Sequence, residues 1–581
     1  MHDLVIRNGT VVDGTGNERR IADIAIDGDR IVELGPKLSS GHREINAEGL
    51  AVTPGWVDLH THYDGQVTWD SVVEPSSTNG VTSVVMGNCG VGFAPARPDK
   101  HDWLISLLEG VEDIPGTALA EGLPWNWESF PEYLDALDAR DYTLDIGTQV
   151  PHAALRTYVM GDRGGDHTEV PTEAEIVAMA DLCEEGLRAG ALGFTTSRTY
   201  VHRTKLGESI GTLTASTNEV LGIAEALHHA GHGVVQLISD AYQSADDELV
   251  ARELALLGQL ALGLNRPLSF TVQQNDDTPD RFRELLSAVG AWNAQGATVK
   301  AQVGVRPIGV LIGLQASVQP FAFCASWRDV AFLTLPEKLT ALRDPGLRAR
   351  LLNEHGAMQP SGFVGILHSG YDRMYPLANP ARYEPSPEDS IAGIAAARNQ
   401  PANEVLYDTL FATAETQRGG DTLLYIPLFN YARGNLDDVR EMITSPNALF
   451  GLSDAGAHCN TICDGSYPTT AIAHWTRDRR RGPKVSLEYI VHCQTQRTAQ
   501  HVGWMDRGVL APGYLADLNI IDLETINVDA PRLVADLPAG GTRLLQRAIG
   551  YEATIKRGTV TFQSGHHTGA LPGTLVRGPQ S

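Results

Sequence analysis

Cysteine is scarce in this 581-residue chain. There are six, Cys89, Cys183, Cys324, Cys459, Cys463 and Cys493, and no two form a CxxC pair. Sparse, unpaired cysteine in a large chain excludes a disulfide framework and points to a reducing compartment. No apolar run approaches the roughly 20 residues that span a bilayer, which excludes a spanning helix. Met1–Thr10 carries no basic segment followed by an apolar one, so no secretory signal is expected and the cytoplasm is the expected location. Positive charge is also short: 45 Lys and Arg stand against 71 Asp and Glu, a net charge of −26. A surface so acidic argues against nucleic acid and anionic membranes as partners. It leaves a small molecule as the expected partner and neither demands nor forbids a homo-oligomer.

What is present is an ordinary globular balance, 42% apolar and 20% charged. The length suits a large barrel with appended elements. Both ends read as β structure. Leu4-Val5-Ile6 leads through Asn8-Gly9 to Thr10-Val11-Val12, and Ile24-Ala25-Ile26 leads through Asp27-Gly28-Asp29 to Arg30-Ile31-Val32. β-branched runs broken by Asn-Gly and Asp-Gly read as hairpins. Residues 516–522 read as a strand and 554–562 as a hairpin with Gly558 at its turn. The simplest arrangement is a small β-sandwich domain built from residues 1–53 and 509–581, with the middle inserted into it.

The middle, 54–508, alternates strand-like and helix-like stretches. Strand candidates are 55–60, 80–86, 144–150, 191–196, 234–238, 268–273, 298–303 and 448–452, with clear helices at Glu173–Ala189 and Thr217–Ala230. Eight such units predict an α/β fold, a (β/α)₈ TIM-like barrel. The interval 306–446 exceeds an ordinary connection. It reads as an insertion or lid before the last barrel strand.

Chemistry concentrates at strand ends. Pro54-Gly55-Trp56-Val57-Asp58-Leu59-His60-Thr61-His62 is an apolar strand ending in His-x-His. Residues two apart on a strand share a face, so His60 and His62 can converge on one metal ion at the barrel mouth. Phe450-Gly451-Leu452-Ser453-Asp454-Ala455-Gly456-Ala457-His458 ends in an Asp among small residues. Asp454 can bind a metal and take a proton from a coordinated water. His458 reads as a further ligand, a substrate contact or a plain loop residue. Met86-Gly87-Asn88-Cys89-Gly90 can offer the Cys89 thiolate to a metal, although a free cysteine is more often a small buried apolar residue.

These motifs resemble the amidohydrolase superfamily, and within it the D-aminoacylase group. PGWVDLHTHYD, GVTSVVMGNCG, QVPHAALR, LRAGALGFTTS, GLSDAGAH and GVLAPGYLADLNIID follow in family order over nearly the whole chain. The resemblance implies Cys89 and Asp454 as metal ligands beside His60 and His62, and places His152 in a loop after the third strand. It departs on the fifth and sixth strands. There the group carries metal-binding histidines, whereas this chain has Gln236 and Gln273. An amide is a poorer zinc ligand than imidazole. The expectation is therefore one divalent ion rather than two, zinc foremost, with Gln236 and Gln273 orienting substrate.

Thr199–Lys205 is dense in functional groups. His202 is a candidate to reach the metal. Arg198 or Arg203 is a candidate for a substrate carboxylate, and Lys205 for a carboxylated bridge. Asp464 is a candidate pocket residue. His368 reads as facing the site or, foremost, as packed in a strand, and the Arg residues within His474–Arg479 as a solvated helix face. The reading is a hydrolase of a small molecule's C–N amide bond, an N-acyl (D-)amino acid foremost. A cyclic amide or carbamate hydrolase on the same scaffold, and a non-catalytic binding barrel, are the alternatives.

Overall fold

The computed structural model describes residues 1–416 and 423–580; residues 417–422 of the expected insertion lie outside the described residues. The two chain ends meet in one nine-stranded sheet. Its N-terminal strands are His2–Val11, Arg20–Asp27, Arg30–Gly35, Gly41–Asn46 and Ala51–Pro54. Its C-terminal strands are Leu518–Ile521, Tyr551–Lys556, Thr559–Gln563 and His566–His567. The ends join where Leu518–Ile521 runs antiparallel to Ala51–Pro54. The two ends thus share one continuous hydrogen-bonded sheet.

The turn expected at Asn8-Gly9 is not a hairpin. His2–Val11 runs through it as one strand, with a register shift between Ile6 and Gly9 against its partner. Asn8 takes a left-handed φ of 57° and donates its N–H to Asp23 Oδ1 at 2.9 Å. The dipeptide absorbs an extra residue as a bulge instead of reversing the chain. At Arg557-Gly558 both turn residues have positive φ, 48° and 74°. There the two-residue hairpin forms as read.

The middle of the chain is built on parallel strands. Trp56–Asp58, Val81–Met86 and Asp145–Thr148 form one three-stranded sheet. Val150–Pro151, Gly193–Arg198, Val234–Ser239, Leu268–Thr271, Val299–Val303 and Ala448–Phe450 form another of six. Asp145–Thr148 and Val150–Pro151 follow one another with one residue between. A parallel bridge between Thr61 and Ala455 links the segments that leave the first and last of these strands. Nearly every strand residue is buried, which is why these strands read as continuous apolar runs rather than alternating ones.

The helices between them obey local rules. Glu173–Ala189 starts on a Thr172/Glu175 capping box and stops at Gly190 with φ 117°. Thr217–Ala230 starts on Ser216, whose side chain accepts from Glu219 N, and stops at Gly231. Within 306–446 the strands Ile308–Ile312, Tyr375–Pro376 and Leu424–Phe429 form an antiparallel sheet. Helices including Pro345–Ala357, Gly362–Ser369 and Ile391–Arg398 surround a separate apolar core around Phe321, Trp327 and Leu351. His368, read in a packed strand, lies on the helix Gly362–Ser369 and is buried. Arg479, read on a solvated face, is buried and pairs with Asp437 at 2.7 Å. Among the described residues no helix is long and apolar enough to cross a membrane.

Candidate metal centre

His60 and His62 lie just past the end of the first parallel strand, both buried. Asp58, at the strand end, accepts His60 N–H at 3.2 Å and so fixes the exit of the chain. The Nε2 atoms of the two rings face one carboxylate oxygen, Asp454 Oδ1, at 3.2 and 3.6 Å. Cys89 Sγ lies 3.4 Å from His60 Nε2. Donor atoms of His60, His62 and Cys89 all fall within 4.8 Å of one another.

The other nitrogen of each ring is backed by a polar group. His60 Nδ1 is 2.6 Å from Gln302 Oε1, and Gln302 Nε2 donates to Ser269 Oγ at 2.9 Å. His62 Nδ1 is 3.2 Å from Glu112 Oε1. The Gln302 bond orients the His60 ring so that its remaining nitrogen can serve a metal, whereas Glu112 stands beside His62 Nδ1 without a hydrogen bond among the described residues. Gln302 and Glu112 were missed at the sequence level. Gln302 was findable as the amide in the otherwise apolar segment Ala301–Val303. Glu112 directly follows the helix His101–Val111, fifty residues beyond the His-x-His pair, and gave no signal.

Asp454 sits in a strained loop. Leu452, Asp454 and His458 have φ of 60°, 45° and 51°, left-handed values that cost free energy outside glycine. Ser453 Oγ ties this loop to the first strand, donating to Asp58 Oδ2 at 2.5 Å. Burial opposes ionisation of Asp454, yet His60, His62 and His458 more than offset it and hold the carboxyl well below its ordinary range. Burial drives His62 down to about 4, despite Asp454, so its ring is neutral and free to donate a lone pair. Burial, with Glu112, Asp454 and Asp64 adding, pushes the Cys89 thiol far up. Two buried imidazoles, a buried thiol and a part-exposed carboxylate match the donor set of a divalent transition metal. A bound cation would reverse the thiol's preference.

Cys89 is presented by a tight turn. Gly87, Cys89 and Gly90 have φ of 79°, 56° and 68°. A Cβ at Gly87 would meet Gln149 O at 2.4 Å and one at Gly90 would meet Thr196 Cα at 2.8 Å, so only glycine fits either side. The turn's N–H groups go to side chains on other segments: Gly87 to Asp64 Oδ2 at 3.2 Å, Cys89 to Gln236 Oε1 at 3.2 Å, Gly90 to Thr195 Oγ1 at 3.1 Å.

The remaining candidates separate. His202 shares a hydrogen bond through Nδ1 with Ser197 Oγ at 2.8 Å, and the histidines His458, His62 and His60 and the carboxyl of Asp454 influence it. Burial first, then those histidines, push it down to about 3. His458 acts in turn on Asp454 and His62. Gln236 and Gln273 are buried, with Gln236 Nε2 and Gln273 Oε1 unpartnered among the described residues. Asp464 lines the same cavity as Asp454, Gln66 and Arg543, and is bound by Arg306 at 2.9 Å.

Four candidates are taken up by other partners. His152 is fully buried, its ring nitrogens taken by Thr196 Oγ1 at 2.8 Å and Glu219 Oε1 at 3.1 Å. Arg198 is held by Glu253 at 2.6 Å and by Ala215 O, a pairing brought by the helix Asp247–Gly263 that leaves no free fork for a carboxylate. Lys205 is 59% exposed and paired with Glu109 at 2.7 Å, so it bridges nothing. Arg203 donates to Gly207 O in its own loop.

A model of the amidohydrolase family matches residues 43–365 and 372–562. A D-aminoacylase of Alcaligenes xylosoxydans xylosoxydans is 33% identical over 232 residues, 40% of this chain and 43% of that protein. The chain thus matches less than half the length of that relative. An uncharacterized protein of Mycobacterium tuberculosis H37Rv is 27% identical over 602 residues, 98% of this chain and 93% of the relative. A solved D-aminoacylase structure shares the fold, with a TM-score of 0.65 and 24% identity over 99% of this chain and 100% of that one.

Proposed function

The chain belongs to the amidohydrolase family, and from that premise we propose that it hydrolyses the amide bond of an N-acyl amino acid, D-configured substrates foremost. One observation carries the reading: His60 Nε2 and His62 Nε2 face Asp454 Oδ1, with Cys89 Sγ beside them. These four residues would hold one divalent ion, zinc in this reading. When bound, such an ion polarises a carbonyl and acidifies water.

The chain's own groups do the proton work. Asp454, ionised and reached from the cavity it lines, takes a proton from the attacking water as the water oxygen bonds to the amide carbon. It then hands that proton to the amide nitrogen. The C–N bond breaks with its electron pair leaving on nitrogen, and an acid and a free amine result. Ser453 and the strained loop keep Asp454 aimed at the histidines. His202, His458 and Gln273 are the proposed substrate contacts. The parallel strands are read as a closed barrel over 54–508, with 306–446 as its lid and the two ends, 1–53 and 509–581, as a separate small domain.

The test is amine release from N-acyl-D- and N-acyl-L-amino acids by wild type and Asp454→Asn, with bound metal measured by mass spectrometry. Loss of general-base help should lower kcat by about 10²–10⁴-fold with near-UV circular dichroism unchanged. His60→Ala/His62→Ala should lose the metal. Full turnover in Asp454→Asn would refute the reading.

A further inference from the structure

Gln236 occupies an unusual position for a buried amide. Its Oε1 accepts from Cys89 N–H at 3.2 Å, which fixes the orientation of the amide group. Its Nε2 is buried and has no partner among the described residues. The oxygen of Gln236 is thus turned to the Cys89 backbone. What it grips is the backbone of the residue that carries the thiol.

That residue needs a grip. Cys89 stands at φ 56°, a left-handed conformation that a side chain with a Cβ disfavours. In the ordinary extended conformation, Sγ would point elsewhere in the turn. Three acceptors from three other segments hold the turn: Asp64 on Gly87, Thr195 on Gly90 and Gln236 on Cys89 itself. Thr195 and Gln236 are register partners on adjacent parallel strands, so their side chains come up side by side beneath the turn. Thr195 also closes its end by donating to Gly87 O. Of the three, Gln236 alone acts on the strained residue, and with it in place Sγ lies 3.4 Å from His60 Nε2.

We propose that Gln236 is a positioning residue for Cys89: its side-chain oxygen holds the left-handed backbone that aims the thiol at the metal centre. This rests on the reading of Cys89 as a ligand given above. The polar residue on the strand Val234–Ser239 would then serve the centre through Cys89.

The experiment uses the full-length enzyme loaded with Co²⁺, whose thiolate charge-transfer absorption reports Cys89 ligation independently of turnover. Wild type should show the band and Cys89→Ala should lack it. Gln236→Leu should lose most of the band, bind the metal about 10–100-fold more weakly and keep the absorption of the histidine-bound ion. Gln236→Glu keeps an acceptor oxygen and should retain the band. Should Gln236→Leu fail to fold, Gln236→Asn replaces it, because its shorter side chain withdraws the oxygen while keeping the amide. A band lost in Cys89→Ala but undiminished in both Gln236→Leu and Gln236→Asn would overturn the proposal and leave Cys89 a ligand. A wild-type protein without the band would overturn the ligand reading and the proposal with it.

Discussion

Glu112 Oε1 lies 3.2 Å from His62 Nδ1, the ring nitrogen that Asp454 does not face. Both groups are buried, and neither atom has a hydrogen-bond partner among the described residues. A cation at Nε2 favours the tautomer with its proton on Nδ1, which Glu112 is placed to accept. Glu112→Ala should therefore weaken metal binding by about 10–100-fold. Glu112→Gln keeps an oxygen there and should lose less. Competition with a chromophoric chelator measures both. Equal affinity in wild type and Glu112→Ala would remove Glu112 from the centre.

Arg198 carries a different expectation. Its guanidinium is committed to Glu253, which is buried and also accepts from Ser239 Oγ at 2.9 Å. Replacing Arg198 with Ala should leave KM for an N-acyl amino acid unchanged. It should cost roughly 2–4 kcal/mol of stability, because Glu253 is left as an uncompensated buried charge. Thermal melts and steady-state kinetics on one preparation separate the two effects. A large rise in KM with an unchanged melt would return Arg198 to the substrate site.

That case shows what the sequence made legible and what it hid. Parallel strands such as Val81–Met86 and Val234–Ser239 are buried on both faces, so composition betrays them. The helix Glu173–Ala189 announces itself through Thr172, Glu175 and Gly190. His60, His62, Cys89 and Asp454 were visible because each lies at or just past the end of such a strand, among small residues. Arg198 and His152 looked equally functional, since their partners Glu253 and Glu219 come from helices far along the chain. Glu112 was hidden for the converse reason. It is one of 71 acidic residues, and only folding brings it to His62. Asn8-Gly9 misled because a bulge and a hairpin draw on the same left-handed preference.

The sheet of chain ends is locked to the parallel strands through Asp145. Its buried carboxylate accepts from Arg507 at 2.7 Å, Lys556 at 2.8 Å and Arg557 at 3.2 Å, and Lys556 also reaches Asp517 at 2.8 Å. Burial opposes ionisation here, but the three cations prevail and hold the carboxyl well below its ordinary range. A carboxyl depressed in the folded state contributes stability above its unfolded value, about 3.9, and that contribution is lost as pH falls below it. Asp145→Asn should cost roughly 3 kcal/mol or more at pH 7. The gap between wild type and variant should narrow progressively below about pH 4. Denaturant unfolding across that range measures it. A gap constant with pH would show that the charge of Asp145 contributes nothing.

Acid should loosen the inserted segment before the parallel strands, through His355 and His368. The two buried rings stack with centroids 3.8 Å apart and planes 11° from parallel. His355 Nε2 meets His368 O at 3.0 Å, while among the described residues His355 Nδ1 and both ring nitrogens of His368 have no partner. Burial, then the neighbouring ring, drives His355 down to about 4, and burial lowers His368 as well. Both rings are thus neutral when folded, whereas the unfolded chain takes up protons below about 6.5. The stability this pair lends is complete above that value and is lost as pH falls towards 4. Hydrogen exchange, corrected for its intrinsic pH dependence, should show the helices Pro345–Ala357 and Gly362–Ser369 opening more readily at pH 5 than at pH 7. The strands Val81–Met86 and Val234–Ser239 should change little over the same step. His355→Phe/His368→Phe removes the titrating groups while keeping aromatic bulk, and should flatten the dependence. If the double variant opens with acid as wild type does, carboxylates elsewhere in the segment govern its acid response and the stacked histidines do not.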